Sequence, residues 1–180
     1  MKKFIAGICV AGTMVAAAGT KMAVVSLETL VKSHPSHESN RALVKTTADD
    51  YRKKMEQKQE QMKKLVEDGK KLQSDWQNPI LSAAGKTELQ KKLEVIQQKL
   101  FAAQQEMRAD EQHYQNELAD LQQRLFKIEK SEVEKQIRDF AQAQGYDLII
   151  DSAACGFATP KLDVTDAILK KMGVDPKNNK

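Results

Sequence analysis

Thr87-Glu88-Leu89-Gln90-Lys91-Lys92-Leu93-Glu94-Val95-Ile96 opens a run that continues to Gln144 without a proline or a glycine. Its apolar residues recur in steps of four and three: Leu89, Leu93, Ile96, Leu100, Ala103 and Met107, then Tyr114, Leu121 and Ile128. That is the period of a helix with one apolar stripe, not the alternation of a strand. The seven-residue spacing of Leu93, Leu100, Met107, Tyr114, Leu121 and Ile128 marks a coiled-coil seam. The second seam position is lost at Asp110, Glu117 and Arg124, where Leu118 and Leu125 take over one residue further on. A 3.6-residue helix drifting against a 3.5-residue repeat produces such a slip.

A partner stripe lies upstream. Val44, Ala48, Tyr51, Met55, Lys58, Met62, Leu65, Gly69, Leu72 and Trp76 follow the same steps, with only Lys58 and Gly69 out of character. The stripe from Val44 to Trp76 is as long as the one from Leu89 to Leu121. Between them, residues 77–86 contain Pro79 and Gly85, which break helices. Thr87 to Gln90 then reads as a capping box that restarts the second helix. Two equal stripes around a short break predict an antiparallel hairpin. Folding about a centre near Ser82 pairs Val44 with Leu121 and Trp76 with Leu89, over a length of roughly 50 Å at 1.5 Å per residue.

The chain begins with Met1-Lys2-Lys3 and an apolar stretch ending Ala16-Ala17-Ala18. A positive start, an apolar core and an Ala-x-Ala site describe a secretory signal, cut after Ala18. The apolar run is shorter than the ~20 residues of a membrane span. Cleavage leaves a single cysteine, Cys155, so no internal disulfide can form. Cys9 goes with the signal, and Cys155 reads as a small buried side chain. The formal charge of +4 falls to +2 with Lys2 and Lys3 gone, too little to argue for nucleic acid. The charge is unevenly spread: Arg52 to Lys99 carries 12 basic and 7 acidic residues, Leu100 to Asp139 carries 6 and 9. The distal half of the hairpin is thus positive and its base negative, either as a plain solvated surface or as an attractor of acidic chains and anionic lipid.

The ends are predicted to make a small body. Lys21 to Leu27 is β-branched and strand-like, and Glu28 to Lys32 allows one helical turn. Ser33-His34-Pro35-Ser36-His37 is a loop; His34 and His37 beside Glu38 lack a third ligand, so no metal site is expected. The second helix outruns the first, and Leu125, Ile128, Val133, Ile137 and Phe140 are expected to pack on this body. Gly145 ends the helix. Tyr146 to Asp151 is predicted as a strand buried on both faces, Ser152 to Thr159 as a turn and a further strand. A last helix is expected with Asp163 as N-cap and Ala167, Ile168, Leu169 and Met172 facing inward, before a frayed tail at 177–180. The fold class is therefore α+β: a long helical hairpin on a β body made by both chain ends. The predicted divisions are 1–18 signal, 19–38 body, 39–144 arm with its tip near 77–87, and 145–180 body. Three strands and a helix are too little for a stable isolated body, which calls for an oligomer pooling strands. Val24, Val25, Leu27, Leu148, Ile149, Ile150, Phe157 and Ile168 are the candidates for that shared body.

Nothing here resembles catalysis or a cofactor site. There is no glycine-rich phosphate loop, no metal-ligand cluster and no Ser/His/Asp setting. His113 sits among polar arm residues, and the carboxylate pairs Asp49–Asp50 and Asp110–Glu111 diverge around a helix.

The strand Met22-Ala23-Val24-Val25-Ser26-Leu27-Glu28, the block Gly145-Tyr146-Asp147-Leu148-Ile149-Ile150-Asp151 and the continuation Thr159 to Asp166, flanking a charged hairpin, resemble the Skp/OmpH family of chaperones. The resemblance covers essentially all of the chain after the signal. It implies a periplasmic homotrimer with a β-barrel-like body and three helical tentacles. These would enclose unfolded outer-membrane proteins without ATP. The family's lipopolysaccharide-binding patch has no motif that can be placed here, so lipopolysaccharide contact stays without assigned residues.

Independently of the family, an arm with few large aliphatics offers many weak contacts that can be released without fuel. Phe101, Ile80 and Leu81 are the contact candidates expected to be exposed. Trp76, Met55 and Met62 are further candidates, whose plainer role is hairpin packing. A structural coiled-coil spacer without clients is the competing reading, and a lipid-binding arm a third.

Overall fold

The computed structural model describes residues 19–176; the expected signal at 1–18 and the expected frayed tail at 177–180 lie outside the described residues. Strand β1 (Met22–Val25) leads into helix α1 (Leu27–Lys32), helix α2 (His37–Trp76) and helix α3 (Ala83–Gln144). Strand β2 (Leu148–Asp151), two short 3-10 turns and helix α4 (Thr165–Lys171) complete the chain. β1 and β2 pair in parallel, with Met22 opposite Leu148 and Val25 opposite Asp151. Parallel strands cannot be joined by a tight turn. Here the crossover between them is the whole helical hairpin.

α2 and α3 run antiparallel, and their contacts reflect about Ser82 as the stripes predict. The rings of Tyr51 and Tyr114 stack at 4.2 Å between centroids. The two faulty positions of the α2 stripe are each accommodated by the residue opposite, one by charge and one by bulk. Lys58 reaches across to Asp110 and, at 2.6 Å, to Glu106. Gly69 faces Ile96, whose Cγ2 would lie 3.4 Å from a β-carbon at position 69, so the isoleucine covers the missing side chain.

The break between the helices is shorter than expected. α3 begins at Ala83, not at Thr87: Ser82 is extended, and its hydroxyl accepts the Gly85 amide at 3.2 Å. Thr87 lies one turn inside the helix with its hydroxyl on the Ala83 carbonyl, so no capping box forms there. Ser82 is the first residue after Pro79 able to cap, and the alanines behind it propagate a helix through Gly85. At the other end Gly145 takes the left-handed conformation at φ 67°, with the Tyr146 amide on the Ala141 carbonyl. This is the glycine-terminated helix end the sequence predicts.

The seam corrects the sequence reading at the root of α3. Ile128, by spacing the last seam residue, is 54% exposed, and Glu129 and Val133 are buried in its place. Past Leu121 the stripe advances by fours rather than by sevens, because a helix that no longer winds around α2 keeps its own 3.6-residue period.

The body is thinner than predicted. Leu30, Ile168, Leu169 and Val133 are its largest fully buried side chains, joined by Ala23, Val25, Val31 and Val164. The core thus draws on both ends of the chain and on the root of α3. The second C-terminal strand is absent: Ser152–Ala154 is a 3-10 turn, begun where the Asp151 side chain accepts the Ala153 amide at 3.2 Å. Only a single bridge, Val24 to Asp163, adds to the two-stranded sheet among the described residues. With no strand beyond it, β2 is not buried on both faces, and Leu148 is exposed. α4 starts at Thr165 with Val164 in the cap position; Asp163, the expected cap, sits one residue earlier and accepts both the Thr165 amide at 2.8 Å and its hydroxyl. Of the residues assigned to a shared body, Val24, Val25 and Ile168 are consumed by the chain's own core. Leu27, Ile149 and Ile150 are half-buried, while Leu148 and Phe157 face outward.

Candidate functional site

The arm is a rod whose seam is narrow. Along most of α2 and α3 the inward residues are half-buried and everything else is exposed, and no residue of α2 is fully buried. Two stripes of a few side chains cannot cover each other, so apolar groups one step off the seam stand in solvent.

The predicted contact residues separate into two groups. Phe101, one step beyond the seam residue Leu100, is 65% exposed, and Ile80 at the tip is 90% exposed. Met55 and Met62 are half-buried in the seam, as packing requires. Leu81 corrects the expectation of exposure: it is half-buried and folds over Gly85, where a β-carbon would come within 3.1 Å of it. Trp76 is partly exposed, with the Lys86 ammonium 5.9 Å from its ring centroid. The tip therefore presents an isoleucine and part of an indole beside a cation. These residues are spread along the arm and do not converge on a pocket.

The sequence reading missed Phe126, which is 56% exposed at the root of the arm. The signal was available, because Phe126 follows the seam residue Leu125 as Phe101 follows Leu100.

Two polar features occupy the seam. In mid-arm the Tyr51 hydroxyl donates to Glu117 and Lys58 bridges Asp110 and Glu106. The Asp110 and Glu106 carboxylates push the Lys58 ammonium above the ordinary lysine range, and the hydrogen bond to Glu117 pushes the Tyr51 phenol up as well. For both groups the protonated form is the bonded one. Their contribution is complete below the ordinary values of 10.0 and 10.5 and is lost as pH rises through the raised values. The thermal midpoint of the arm, followed by far-ultraviolet circular dichroism, should therefore fall as pH is taken above the ordinary phenol value of 10.0. The fall should be smaller in Tyr51→Phe; an equal fall in both would exclude the tyrosine.

At the root, Glu129 is 3% exposed yet ionisable. One carboxylate oxygen accepts Asn40 Nδ2 at 2.7 Å and the other lies 3.1 Å from His37 Nδ1. One turn nearer the body, His34 Nε2 is 3.0 Å from Glu132, and its Nδ1 faces the Ser36 hydroxyl at 2.9 Å. The histidines are thus clasps between the start of α2 and the root of α3. No group of three or more potential metal ligands occurs among the described residues. No helix among them is long and apolar enough to cross a membrane.

No curated protein matches the sequence. Among solved structures, an OmpH-like outer membrane chaperone of Caulobacter crescentus CB15 superposes with a TM-score of 0.62 at 16% identity, covering 85% of this chain and 83% of that one. At that identity the likeness is one of fold. The model of the family described as outer membrane protein (OmpH-like) matches residues 21–172, from the start of the first strand through the last helix. With β1, the arm, β2 and α4 all inside the match, the chain belongs to the OmpH-like family.

Proposed function

We propose that the chain is a periplasmic holdase that keeps unfolded outer-membrane proteins apart without nucleotide, working as a homotrimer whose arms surround the client. The observation that carries this reading is the arm itself: a solvated rod with isolated exposed apolar side chains, Phe101 and Ile80 foremost, among charges of both signs. Each such side chain can cover part of a client's apolar surface, and none is deep enough to hold it for long. Many weak contacts at high effective concentration retain a chain and still let it go. Membership of the OmpH-like family supports the same reading. The outward-facing Leu148 and Phe157 suit contact between copies of the body. The basic distal half, with Trp76 and Lys86 at the tip, suits a secondary contact with anionic lipid or lipopolysaccharide.

The test is light scattering after dilution of a urea-unfolded outer-membrane barrel protein into buffer, with and without the chain and with no nucleotide. Suppressed aggregation at about one oligomer per client is expected. Unchanged aggregation in the presence of a folded oligomer would make the arm a spacer instead. Phe101→Ala is expected to weaken client retention at unaltered oligomer mass, and equal retention would remove Phe101 from the contact surface.

A further inference from the structure

The polar residues of α3 are sorted by side. At about 100° per residue, every glutamine between positions 97 and 126, from Gln97 and Gln98 to Gln122 and Gln123, falls within about 60° of Phe101 around the helix. Phe126 falls within about 20° of the same line, ~38 Å further along the axis. Asn116 and Ala119 complete this flank, and Arg108 is its one charged residue. All of these residues are exposed. The carboxylates of the stretch, Glu106, Asp110, Glu111, Glu117 and Asp120, lie elsewhere around the helix. No side-chain amide of the flank has a hydrogen-bond partner among the described residues.

A flank that served only to keep the rod in solution would carry charge, which does so better than amides. Each glutamine offers two N–H donors and a carbonyl acceptor. The partner that matches a row of them supplies donors and acceptors along its whole length and needs no charge. A folded protein spends those groups on its own secondary structure. An unfolded polypeptide does not, and it presents an N–H and a C=O at nearly every residue whatever its sequence. One such hydrogen bond is weak once water has been exchanged for it, and a row of them is not.

We infer that the amide flank of α3, framed by Phe101 and Phe126, is the surface along which an unfolded client lies extended, held through its backbone. This rests on the holdase reading and deepens it. About twelve extended residues cover the distance between the two rings. The rings take apolar side chains of the client, and the amides between them take its peptide groups. Recognition of this kind is indifferent to the client's side-chain sequence between the rings and, being uncharged, to salt.

The probe is a labelled, uncharged, unstructured peptide with two phenylalanines about twelve residues apart. It is titrated with the full chain at low and at high salt, and binding is read by anisotropy. Affinity should change less than about twofold between the two salts. The double variant Gln105→Glu with Gln112→Glu turns two amides into carboxylates that cannot donate, and should weaken binding at least about fivefold. The matched pair Ala102→Glu with Ala109→Glu adds the same charge at the same height on another side of the helix, and should change affinity less than about twofold. All four positions are exposed, so both variants keep the fold. Equal effects of the two pairs, strong salt dependence, or no binding of the peptide by the unaltered chain overturns the inference. A drop in oligomer mass confined to the glutamine pair would assign the flank to a contact between copies and overturns it too. Aggregation of an unfolded outer-membrane barrel protein is scored alongside. Suppression that both pairs leave alike removes only this surface, whereas no suppression by the unaltered chain removes the holdase reading beneath it.

Discussion

Leu30→Ala is expected to destabilise the body by about 2–5 kcal/mol, the range for truncating a fully buried leucine. Leu30 has no exposed surface and lies in the cluster with Ile168, Leu169 and Val133. That cluster is small and fastens three separate parts of the chain: α1, the root of α3 and α4. A cavity there cannot be filled by a neighbour without pulling one of them out of place, which puts the cost toward the upper end. The chain's one tryptophan, Trp76, sits at the far tip of the arm and will not report on the body. Hydrogen exchange at the β1 amides is therefore the measurement to make. Protection at Val24 and Val25 should fall by at least an order of magnitude, as a loss above about 1.4 kcal/mol requires. Protection unchanged within a factor of three would mean that the sheet does not depend on this core.

The second large effect is expected at the clasp of Glu129. A buried carboxylate left with one donor instead of two costs about 1–3 kcal/mol, more when the lost partner carries charge. His37→Ala removes the imidazole, leaving only Asn40 on the carboxylate, and the arm root should lose that amount in urea unfolding. Glu129→Leu in the same background removes the stranded charge and fills the site with apolar volume. The double variant should therefore recover much of the loss. The discriminating quantity is the coupling between the two positions in a double-mutant cycle. Additive losses would show that His37 and Glu129 stabilise the root independently. In that case the 3.1 Å contact would be incidental.

The same cluster shows where reading the chain from its sequence stops. Glu129 lies among the charged residues of a Glu- and Lys-rich helix, and nothing local distinguishes it from Glu132 or Glu134. It is buried because α1 and the first turn of α2 close over the root of α3, a contact between residues some 90 positions apart. Leu81 is similar: its place at the tip beside Ile80 leads to an expectation of exposure, but the turn at Ser82 lays it on Gly85. Phe126, by contrast, was legible by the rule that picked out Phe101.

The long periodic elements and their partnering followed from the sequence by itself. Period and length make α2 and α3 helices, and two stripes of equal length leave one way to lay them together, which the Tyr51–Tyr114 stack and the Gly69–Ile96 contact follow. Gly145 likewise marked a helix end that only a residue free to adopt positive φ takes easily. These are local or reflective properties, written in spacing. The tertiary structure alone decided how the ends meet: the parallel pairing of β1 with β2, the turn in place of a strand at Ser152–Ala154, and the replacement of Ile128 by Glu129 at the root. Short segments carry too few residues for period to speak. Their conformation is set by the hydrogen bonds and buried surface available from distant parts of the chain, and those exist only once the hairpin has brought the two ends together.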